Sequence, residues 1–341
     1  DKIAKIELEG AEIIVYTNDE KFFKEGDEKI REAVSLLKKR IELRATKELL
    51  LSEEDAEKKI YELVPEDAGI EKIYFEPERS VVIIAGKKPG VLIGKKGETF
   101  RKIKKEIFWS PRIERVPTIP SKIVDGIRKV LHKNVKFRKK FLNKVGEKIF
   151  SAKEEKRNWI RIICLGGCFQ VGRSCMLLET PKSKILIDCG IDVGAKNANM
   201  YPILNTKEFD LSEIDAIVIS HAHLDHCGFV PFLVEHGYDG PIYMTTPTLD
   251  LFALLCLDYI DVMQKSGISP LYTAKGVKEA IKRAITLDYG EVSDITADTK
   301  LTFQNAGHIL GSAIVHLHIG EGLHNIVYAL DQKFGRTLLL D

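Results

Sequence analysis

The densest group of chemically active side chains is His221-Ala222-His223-Leu224-Asp225-His226, which holds three of the nine histidines of the chain. It follows a predicted strand at residues 216–220. In a loop after a strand, His221 and His223 can point one way while Asp225 and His226 turn towards a neighbouring point. Imidazole and carboxylate groups are zinc ligands at about 2.0–2.2 Å. The spacing therefore predicts a two-zinc site rather than a surface run of histidines.

Three more residues fit the same chemistry, because each stands at the end of an apolar segment. Asp188 closes a predicted strand at 184–188, and Asp331 closes one at 326–330. His308 lies in AGHILGS, between two predicted strands. Buried strands that end at one edge of a sheet bring their terminal side chains together, so we expect these residues to join the histidine cluster.

A glycine loop carries the second candidate site, Gly94-Lys95-Lys96-Gly97, which precedes a predicted helix at 98–109. The two glycines let the backbone approach a phosphodiester, the lysines supply charge, and the helix start adds its positive dipole end. The loop lies in residues 71–157, which have a net charge of +15, whereas residues 1–70 and 158–341 have −6 and −7. A basic block predicts attraction to a polyanion. A solvated charged helix remains the alternative for VKFRKK at 135–140.

The loop resembles the GxxG loop of a KH domain, which clamps about four nucleotides of single-stranded nucleic acid. The predicted order over residues 53–116, helix–strand–strand–loop–helix–strand, is similar to the type II KH arrangement. Residues 1–70 are interpreted as a degenerate copy, because we place its equivalent of the loop at Asp19-Glu20-Lys21-Phe22, which has no glycine pair and the wrong charge.

The series Asp188, HAHLDH, His308 and Asp331 resembles, in order and spacing, the first four motifs of the metallo-β-lactamase superfamily. The segment GYDGPIY at 237–243 and the sequence around His308 are similar to the β-CASP nucleic-acid-processing branch. With KH modules in front, the whole chain resembles the archaeal ribonucleases of the CPSF type.

The resemblance implies roles for individual residues. His221, His223 and His308 would hold one zinc, Asp225 and His226 a second, and Asp331 would bridge both. A metal-bridged hydroxide would attack phosphorus. The candidate catalytic residues are Asp225, which would position that hydroxide, and Asp188, which would orient the histidine loop from outside the ligand set. Gly94, Lys95, Lys96 and Gly97 would bind RNA.

Two departures from the family pattern stand out. The family usually has Gly before the bridging Asp and an aromatic residue shortly after it, but here Leu330 precedes Asp331 and Gln332 and Lys333 follow. A β-CASP domain, the last zinc-ligand histidine and the histidine that protonates the leaving group should follow Asp331, and none is in the 341 residues. A fragment of a longer protein is the favoured interpretation, and a remnant that cannot cut is the alternative.

The predicted fold class is α+β: two small type II KH-like modules followed by a partial metallo-β-lactamase αββα sandwich without the β-CASP domain. The predicted boundaries are 1–70 for the degenerate KH module, 71–150 for the KH module with the GxxG loop, 151–158 for a linker and 159–341 for the lactamase half. Other predicted elements include helices at 27–44 and from 53 through 64, and a long helical stretch from 121 towards 150.

Composition excludes several classes of protein. No apolar run approaches the roughly 18 residues that a membrane span needs, so no membrane association is expected. The six cysteines are irregularly spaced and do not suggest a disulfide framework. Cytoplasmic localisation is therefore expected, and Cys164 and Cys168 are predicted to be small core residues. Of the other histidines, His316 and His318 are predicted to share one face of a strand, and His132 to be solvated.

The predicted function is a zinc-dependent ribonuclease that cleaves single-stranded RNA in 3′-end processing, transcription termination or decay. Two zinc ions per complete chain, a single-stranded RNA partner, a homodimer and association with the transcription or RNA-processing machinery are the further expectations. A non-catalytic RNA-binding scaffold with a vestigial nuclease half is the alternative. A small-molecule hydrolase is disfavoured by the KH-like front half.

Overall fold

The computed structural model describes residues 2–151, 159–195, 197–320, 322–333 and 335. The chain divides into two compact units, Asp1–Gly146 and Glu147–Asp341. Most of the predicted linker, residues 152–158, lies outside the described residues.

The first unit repeats one small sheet twice. Each sheet has three strands, with the first two antiparallel and the last two parallel, and a pair of helices makes the parallel crossover. The first module comprises β1 (Lys5–Glu9), β2 (Glu12–Thr17), α1 (Glu20–Glu25), α2 (Asp27–Leu37) and β3 (Arg40–Ala45). The second comprises α3 (Glu53–Leu63), β4 (Ile70–Glu76), β5 (Val81–Gly86), α4 (Pro89–Ile93), α5 (Glu98–Ile107) and β6 (Ser110–Arg115). The helix–strand–strand–helix–helix–strand order of the second module confirms the predicted type II KH arrangement.

The predicted helix at 27–44 is wrong in its second half. The helix α2 ends at Lys38, which adopts the left-handed conformation with φ 53°, and β3 begins at Arg40. Apolar Ile41 pairs with Ile13 of β2, so the spacing that suggested a helical face comes from two different elements. None of the α2 side chains is fully buried.

The second module has its own core, in which α3 and α5 pack against one face of the sheet. Ser52 caps α3 as predicted, since its side chain accepts a hydrogen bond from the Asp55 backbone N–H. Ala56 and Ile60 of this helix lie fully buried in the core that also contains Ile84. The predicted boundary at residue 70 therefore separates the helix from the strands on which it packs.

Two helices, α6 (Lys122–Lys133) and α7 (Val135–Ile149), replace the single predicted stretch. Asn134 separates them, with φ −111°, and its side-chain amide donates to the Val130 carbonyl at 2.6 Å. The helix α7 docks on the β1–β2 turn, where the Gly10 N–H donates to the Leu142 carbonyl at 2.8 Å. A Cβ at Gly146 would lie 2.6 Å from Leu8 Cβ, so glycine permits this close approach.

A buried ionic network joins the two modules of the first unit. The Arg44 guanidinium, which is 0% exposed, contacts Glu9 at 2.9 Å and Glu42 at 2.7 Å. Arg79 of the second module contacts the same Glu9 carboxylate at 2.8 Å. Arg112 reaches Glu42 at 2.7 Å. Every charge in this network has an opposite charge within hydrogen-bonding distance, which offsets the cost of removing it from water.

The second unit is a sandwich of two sheets. The six-stranded sheet has the order β12-β11-β10-β9-β8-β7, and the four-stranded antiparallel sheet has the order β13-β14-β15-β16. The strands are β7 (Arg161–Gly166), β8 (Cys175–Glu179), β9 (Lys184–Cys189), β10 (Ala216–Val218), β11 (Ile242–Met244), β12 (Ala284–Thr286), β13 (Val292–Asp294), β14 (Thr299–Asn305), β15 (Ala313–Ile319) and β16 (His324–Tyr328). The helices are α8 (Leu224–Cys227), α9 (Val230–Glu235), α10 (Thr246–Lys265) and α11 (Ala274–Arg283).

One apolar core lies between these two sheets. Ile185 and Val218 from the larger sheet are fully buried in the same cluster as Phe303 and Val315 from the smaller one. Strands β9 to β12 are parallel, so β9 and β10 end at the same edge of their sheet. That edge is where Asp188 and the histidine loop lie.

The structure also tests the predictions for two cysteines and two histidines outside the candidate sites. Cys164 and Cys168 are exposed rather than in the core, because Cys164 lies within the edge strand β7 and Cys168 lies two residues beyond its end. His316 and His318 do share one face of β15, and both contact the Asn325 amide oxygen at 3.0 Å. Within the described residues, no helix has the length and apolarity required to cross a membrane.

The prediction that His132 is solvated is wrong. Its ring stacks on Tyr74 at 4.3 Å between centroids and lies 3.6 Å from Glu76 and 3.7 Å from Glu114. Burial alone would lower the pKa of His132, but the two carboxylates raise it to about 9.

We expect Arg44→Ala to lower the free energy of unfolding of the first unit by about 3–5 kcal/mol. The substitution removes one of the two guanidinium groups that pair with the buried Glu9 carboxylate. Urea denaturation followed by circular dichroism measures this change. The matched control is Arg31→Ala on an exposed face of α2, which should change stability by less than about 0.5 kcal/mol. Equal effects of the two substitutions would contradict the prediction.

The raised pKa of His132 predicts a stability that depends on pH. The pKa in the folded protein, about 9, exceeds the unfolded value near 6.5, so the ion pairs stabilise fully below pH 6.5 and their contribution is lost as pH rises through 9. The difference in unfolding free energy between the native chain and His132→Gln should shrink by on the order of 2 kcal/mol from pH 6 to pH 10. A difference that is independent of pH would show that only the ring stacking matters.

Candidate metal centre

Four chain segments deliver the predicted residues to one edge of the sandwich. Asp188 lies in β9, and the HAHLDH segment begins three residues after β10 and runs into α8. His308 lies in the loop between β14 and β15, and Asp331 lies three residues beyond β16. The order of the elements thus brings side chains separated by up to 143 positions into a single site.

The nitrogen atoms of three histidines converge. His221 Nε2 lies 3.1 Å from His223 Nδ1, which lies 3.2 Å from His308 Nε2. With an Asp331 oxygen, these atoms all lie within 4.8 Å of one another. Nitrogen ligands about 2.0–2.1 Å from a tetrahedral zinc ion are about 3.3 Å apart, so the observed separations fit such an ion.

Asp331 lies between this group and a second one. Its Oδ2 atom is 3.4 Å from His308 Nε2, 3.7 Å from His221 Nε2 and 3.8 Å from His226 Nε2. The Asp225 carboxylate lies 3.7 Å from the same His226 atom. Leu330, the departure from the family pattern, is 44% exposed, and it does not prevent the Asp331 carboxylate from reaching the histidines.

The Asp188 carboxylate holds the histidine loop in place through hydrogen bonds. It is fully buried and lies 2.7 Å from His226 Nδ1, while Oδ1 accepts from the Ser220 N–H and Oδ2 from the Ser220 hydroxyl, both at 2.7 Å. Tyr328 donates its hydroxyl to Oδ2 at 3.0 Å. Asp188 has φ 54°, a left-handed conformation that is unfavourable for a residue with a side chain and is held here by these contacts.

The pKa values of the clustered histidines shift in opposite directions, because burial and neighbouring imidazoles lower those of His221 and His223, whereas the Asp188 carboxylate raises that of His226. Burial, together with the neighbouring His226 imidazole, lowers the pKa of His221 to about 3, and the pKa of His223 is lowered for the same kind of reason. These imidazoles are therefore neutral at pH 7, the state that a metal ligand requires. Although burial alone would raise the pKa of Asp188, His226 and the Ser220 hydrogen bond hold it below its usual value.

Sequence reasoning missed two supporting residues, Ser220 and Tyr328. Ser220 also contacts His221 Nδ1 at 3.0 Å, which leaves Nε2 of that ring facing the centre. The only sequence signal for Ser220 was its place immediately before the histidines. Tyr328 comes from the other sheet, and nothing in its local sequence indicated that it reaches Asp188.

A cavity of about 390 Å³ opens beside the centre. Asp192, His223 and Asp225 form its polar side, and apolar surface comes from Val171, Val193, Leu224 and Leu255. The cavity gives a substrate room next to the cluster.

The predicted nucleic-acid loop in the first unit has unusual backbone geometry. Gly94 and Gly97 have φ values of 74° and 75°, and Lys96 has 52°. A Cβ at Gly94 would lie 2.9 Å from the Thr99 backbone nitrogen, so glycine is required there. Lys95 and Lys96 are exposed at the start of α5.

The loop of the first module is not where the sequence suggested. Asp19 caps α1, accepting from the Phe22 N–H at 2.7 Å, and the position between the two helices is taken by Gly26. Gly26 has φ −77° and is followed by Asp27, so the conclusion that this copy has no basic glycine loop is unchanged.

Comparison with known protein families agrees with the two units. The metallo-beta-lactamase superfamily domain matches residues 177–340. The KH domain of transcription termination factor FttA matches residues 1–50, and a KH domain matches residues 55–108. This chain carries a metallo-β-lactamase superfamily domain behind two KH domains. The lactamase domain holds the histidine and aspartate cluster, and its fold implies metal binding.

Relatives resemble the chain over its whole length. It is 47% identical over 341 residues to transcription termination factor FttA of Methanothermobacter thermautotrophicus, covering 100% of this chain and 54% of the relative. It is 48% identical over 340 residues to the FttA of Methanosarcina mazei, covering 99% and 53%. The chain thus spans about half the length of these curated relatives.

Among solved structures, a metallo-beta-lactamase of Cronobacter sakazakii with a HARLDQ motif is 20% identical, with a TM-score of 0.35, and the match covers 49% of this chain and 58% of that one.

We expect Asp188→Asn to lower the metal affinity of the lactamase domain by about 10–100-fold, because it removes the carboxylate that orients His226. Titration with Zn²⁺ or Co²⁺ measures the affinity. The conservative change keeps the volume of the side chain. The matched control is Asp298→Asn, at a half-buried carboxylate that accepts hydrogen bonds from Thr180 and Ser183. Equal metal affinity of Asp188→Asn and the native chain would contradict the supporting role.

Proposed function

We propose that this chain is the RNA-binding and metal-binding part of a zinc-dependent ribonuclease that cleaves single-stranded RNA during transcription termination, 3′-end processing or decay. The observation that carries the proposal is the joint presence, in one chain, of a histidine and aspartate cluster with metal-ligand spacing and a basic GxxG loop in a KH domain. The cluster supplies hydrolytic chemistry, and the loop supplies affinity for a phosphate backbone.

Two zinc ions fit the donor atoms of the cluster. We assign His221, His223 and His308 to one ion and Asp225 and His226 to the other, with Asp331 shared, since its carboxylate oxygen lies 3.4–3.8 Å from histidines of both groups. Zinc in such a site acts as a Lewis acid towards a phosphodiester and its attacking water. Asp188 keeps His226 in place by accepting from its other ring nitrogen, and Asp225 borders the cavity from which a substrate would approach.

The RNA-binding role rests on the second KH domain. The positive φ angles of Gly94 and Gly97 let the loop backbone approach an RNA strand closely. Lys95 and Lys96 are exposed in the same loop. The acidic first KH domain is assigned a structural role, because Gly26 stands alone between acidic neighbours. We place the boundary between the two KH domains near residue 50, where the family matches meet, rather than at residue 70.

Termination is the proposed setting because the relatives that match the whole chain are named transcription termination factors. The RNA-binding scaffold without catalysis remains the competing function. The two differ in what the cluster does: a scaffold binds RNA with or without metal, and its metal ligands do not affect any RNA cleavage.

The metal half of the proposal is tested with His223→Ala. In the full-length protein we expect the native form to bind about two zinc ions, and the variant to lose at least one, lose RNA cleavage and retain RNA binding. Elemental analysis, cleavage of a labelled single-stranded RNA and fluorescence anisotropy measure the three properties. The matched control is His316→Ala on the outer face of β15, which should change none of them. Cleavage that persists after chelation, or full zinc content in the variant, would overturn the proposal.

The RNA half is tested with Lys95→Glu combined with Lys96→Glu. We expect RNA affinity to fall and the slope of log affinity against log salt to flatten by about 0.7 for each lost phosphate contact. Zinc content should be unchanged. The control is Lys21→Glu with Lys29→Glu, which alters the net charge equally on the acidic KH domain. If the two double variants bind RNA equally well, the glycine loop is an ordinary turn.

A further inference from the structure

The helices α6 and α7 carry a strongly basic surface that lies outside all three family matches. Residues 122–149 contain ten Lys and Arg against two Asp and Glu. The KH match ends at residue 108 and the lactamase match begins at residue 177. Neither the glycine loop nor the metal cluster accounts for this charge.

The cations of the two helices fall into two sets. Those that face the sheet of the second KH domain and the first module are matched by acids: Arg128 lies 3.3 Å from Glu114, and Lys139 lies 3.0 Å from Glu7. His132 belongs to the same set, between Glu76 and Glu114. Packing of these helices therefore uses the acidic groups available on that side.

The second set, here called the lysine stripe, is exposed and forms no ion pair within the described residues. Its members are Lys122, Lys129, Lys133, Lys136 and Lys140. At 100° per residue, the three lysines of α6 point within about 40° of one another, and the two of α7 are separated by one turn, about 6 Å along the axis. On each helix, therefore, the exposed lysines form a row of like charges rather than a scatter of solvated side chains.

The stripe begins at the edge of the sheet that also carries the glycine loop. The strands β5 and β6 are parallel and end together, with Gly86 paired to Arg115. The glycine loop follows β5 after one short helix, and α6 follows β6 after six residues, so both start from that edge. Exposed Arg115 lies at the same place.

We propose that the lysine stripe is a second RNA-binding surface, which holds the phosphate backbone of a single strand after the strand leaves the GxxG loop. The acidic residue next to these lysines in α6, Asp125, lies 3.7 Å from Lys72, which offsets its charge. A row of lysines fits a linear polyanion, and the GxxG loop itself accommodates only about four nucleotides. Among the described residues from 122 to 140, no large hydrophobic side chain is strongly exposed, although Ile119, just before α6, is 79% exposed. The scarcity of apolar surface favours a phosphate backbone over an acidic protein partner. This inference extends the proposed RNA-binding function.

RNA length separates the stripe from the loop. A 5-nucleotide oligouridylate is little longer than the roughly four nucleotides that a GxxG loop holds, whereas a 20-nucleotide oligouridylate extends well beyond the loop. We expect Lys136→Gln with Lys140→Gln to leave the affinity for the 5-mer unchanged and to weaken the 20-mer roughly tenfold at low salt, flattening its salt slope by about 0.7 per lysine. Lys129→Gln with Lys133→Gln should act in the same way. Glutamine is close to lysine in helix propensity, so the helices should be kept, as circular dichroism can verify.

The matched control is Lys21→Gln with Lys29→Gln, which removes the same charge from the acidic KH domain and should affect neither RNA. If both stripe variants bind the 20-mer as the native chain does, the stripe is not an RNA surface and an acidic protein partner takes its place. If the stripe variants weaken 5-mer binding as strongly as 20-mer binding, the effect is general electrostatics and the proposal also fails. Loss of 20-mer binding in the stripe variants, with no effect of Lys95→Glu and Lys96→Glu on the 5-mer, would support the stripe and overturn the loop.

Discussion

The candidate metal centre depends on one buried carboxylate. Asp188 is fully enclosed, stands in a left-handed conformation and contacts the Ser220 backbone and hydroxyl, the His226 ring and the Tyr328 hydroxyl. A charge buried in this way would be costly without partners, and these contacts supply them. These partners come from the histidine loop and from a strand of the opposite sheet. The hydrogen bonds to this one carboxylate therefore also fix the position of the loop that carries the candidate metal ligands. The rest of the site follows from that position, since His221 and His223 are on the same loop.

In the first unit, the main constraint is the pairing of buried charges. Its internal cations have acidic partners: Arg44 with Glu9 and Glu42, Arg79 with Glu9 and Glu76, and His132 with Glu76 and Glu114. These acids lie where the two modules and the helices α6 and α7 meet, whereas Lys95, Lys96 and the lysine stripe are exposed. A nearly neutral chain can therefore present a strongly basic surface, and the same pairing that makes the two KH domains pack together leaves that surface unneutralised.

Local patterns predicted most of the elements because each reports on its own short segment. The continuous apolar run of β5, the capping Ser52 and the glycines around Lys95 and Lys96 indicated the second KH domain. The helix prediction failed at residues 27–44, where the apolar residues of a helix and of the following strand share one spacing. The left-handed conformation of Lys38 separates the two elements, and the apolar spacing does not indicate it. It also failed for His132, whose environment is created by Tyr74 and two glutamates more than 15 residues away.

The sequence alone indicated the types of chemistry to test in this protein. The HAHLDH segment, His308 and Asp331 are candidate metal ligands, Asp188 is a carboxylate that would support them, and the GKKG loop is a candidate phosphate-binding turn. Tertiary structure decided whether they act together. The distances among His221, His223, His308 and Asp331, the support of Asp188 by Tyr328, and the division of α6 and α7 into a paired and an unpaired face all arise from packing between distant segments. Such contacts depend on how sheets and helices assemble, which no window of neighbouring residues contains.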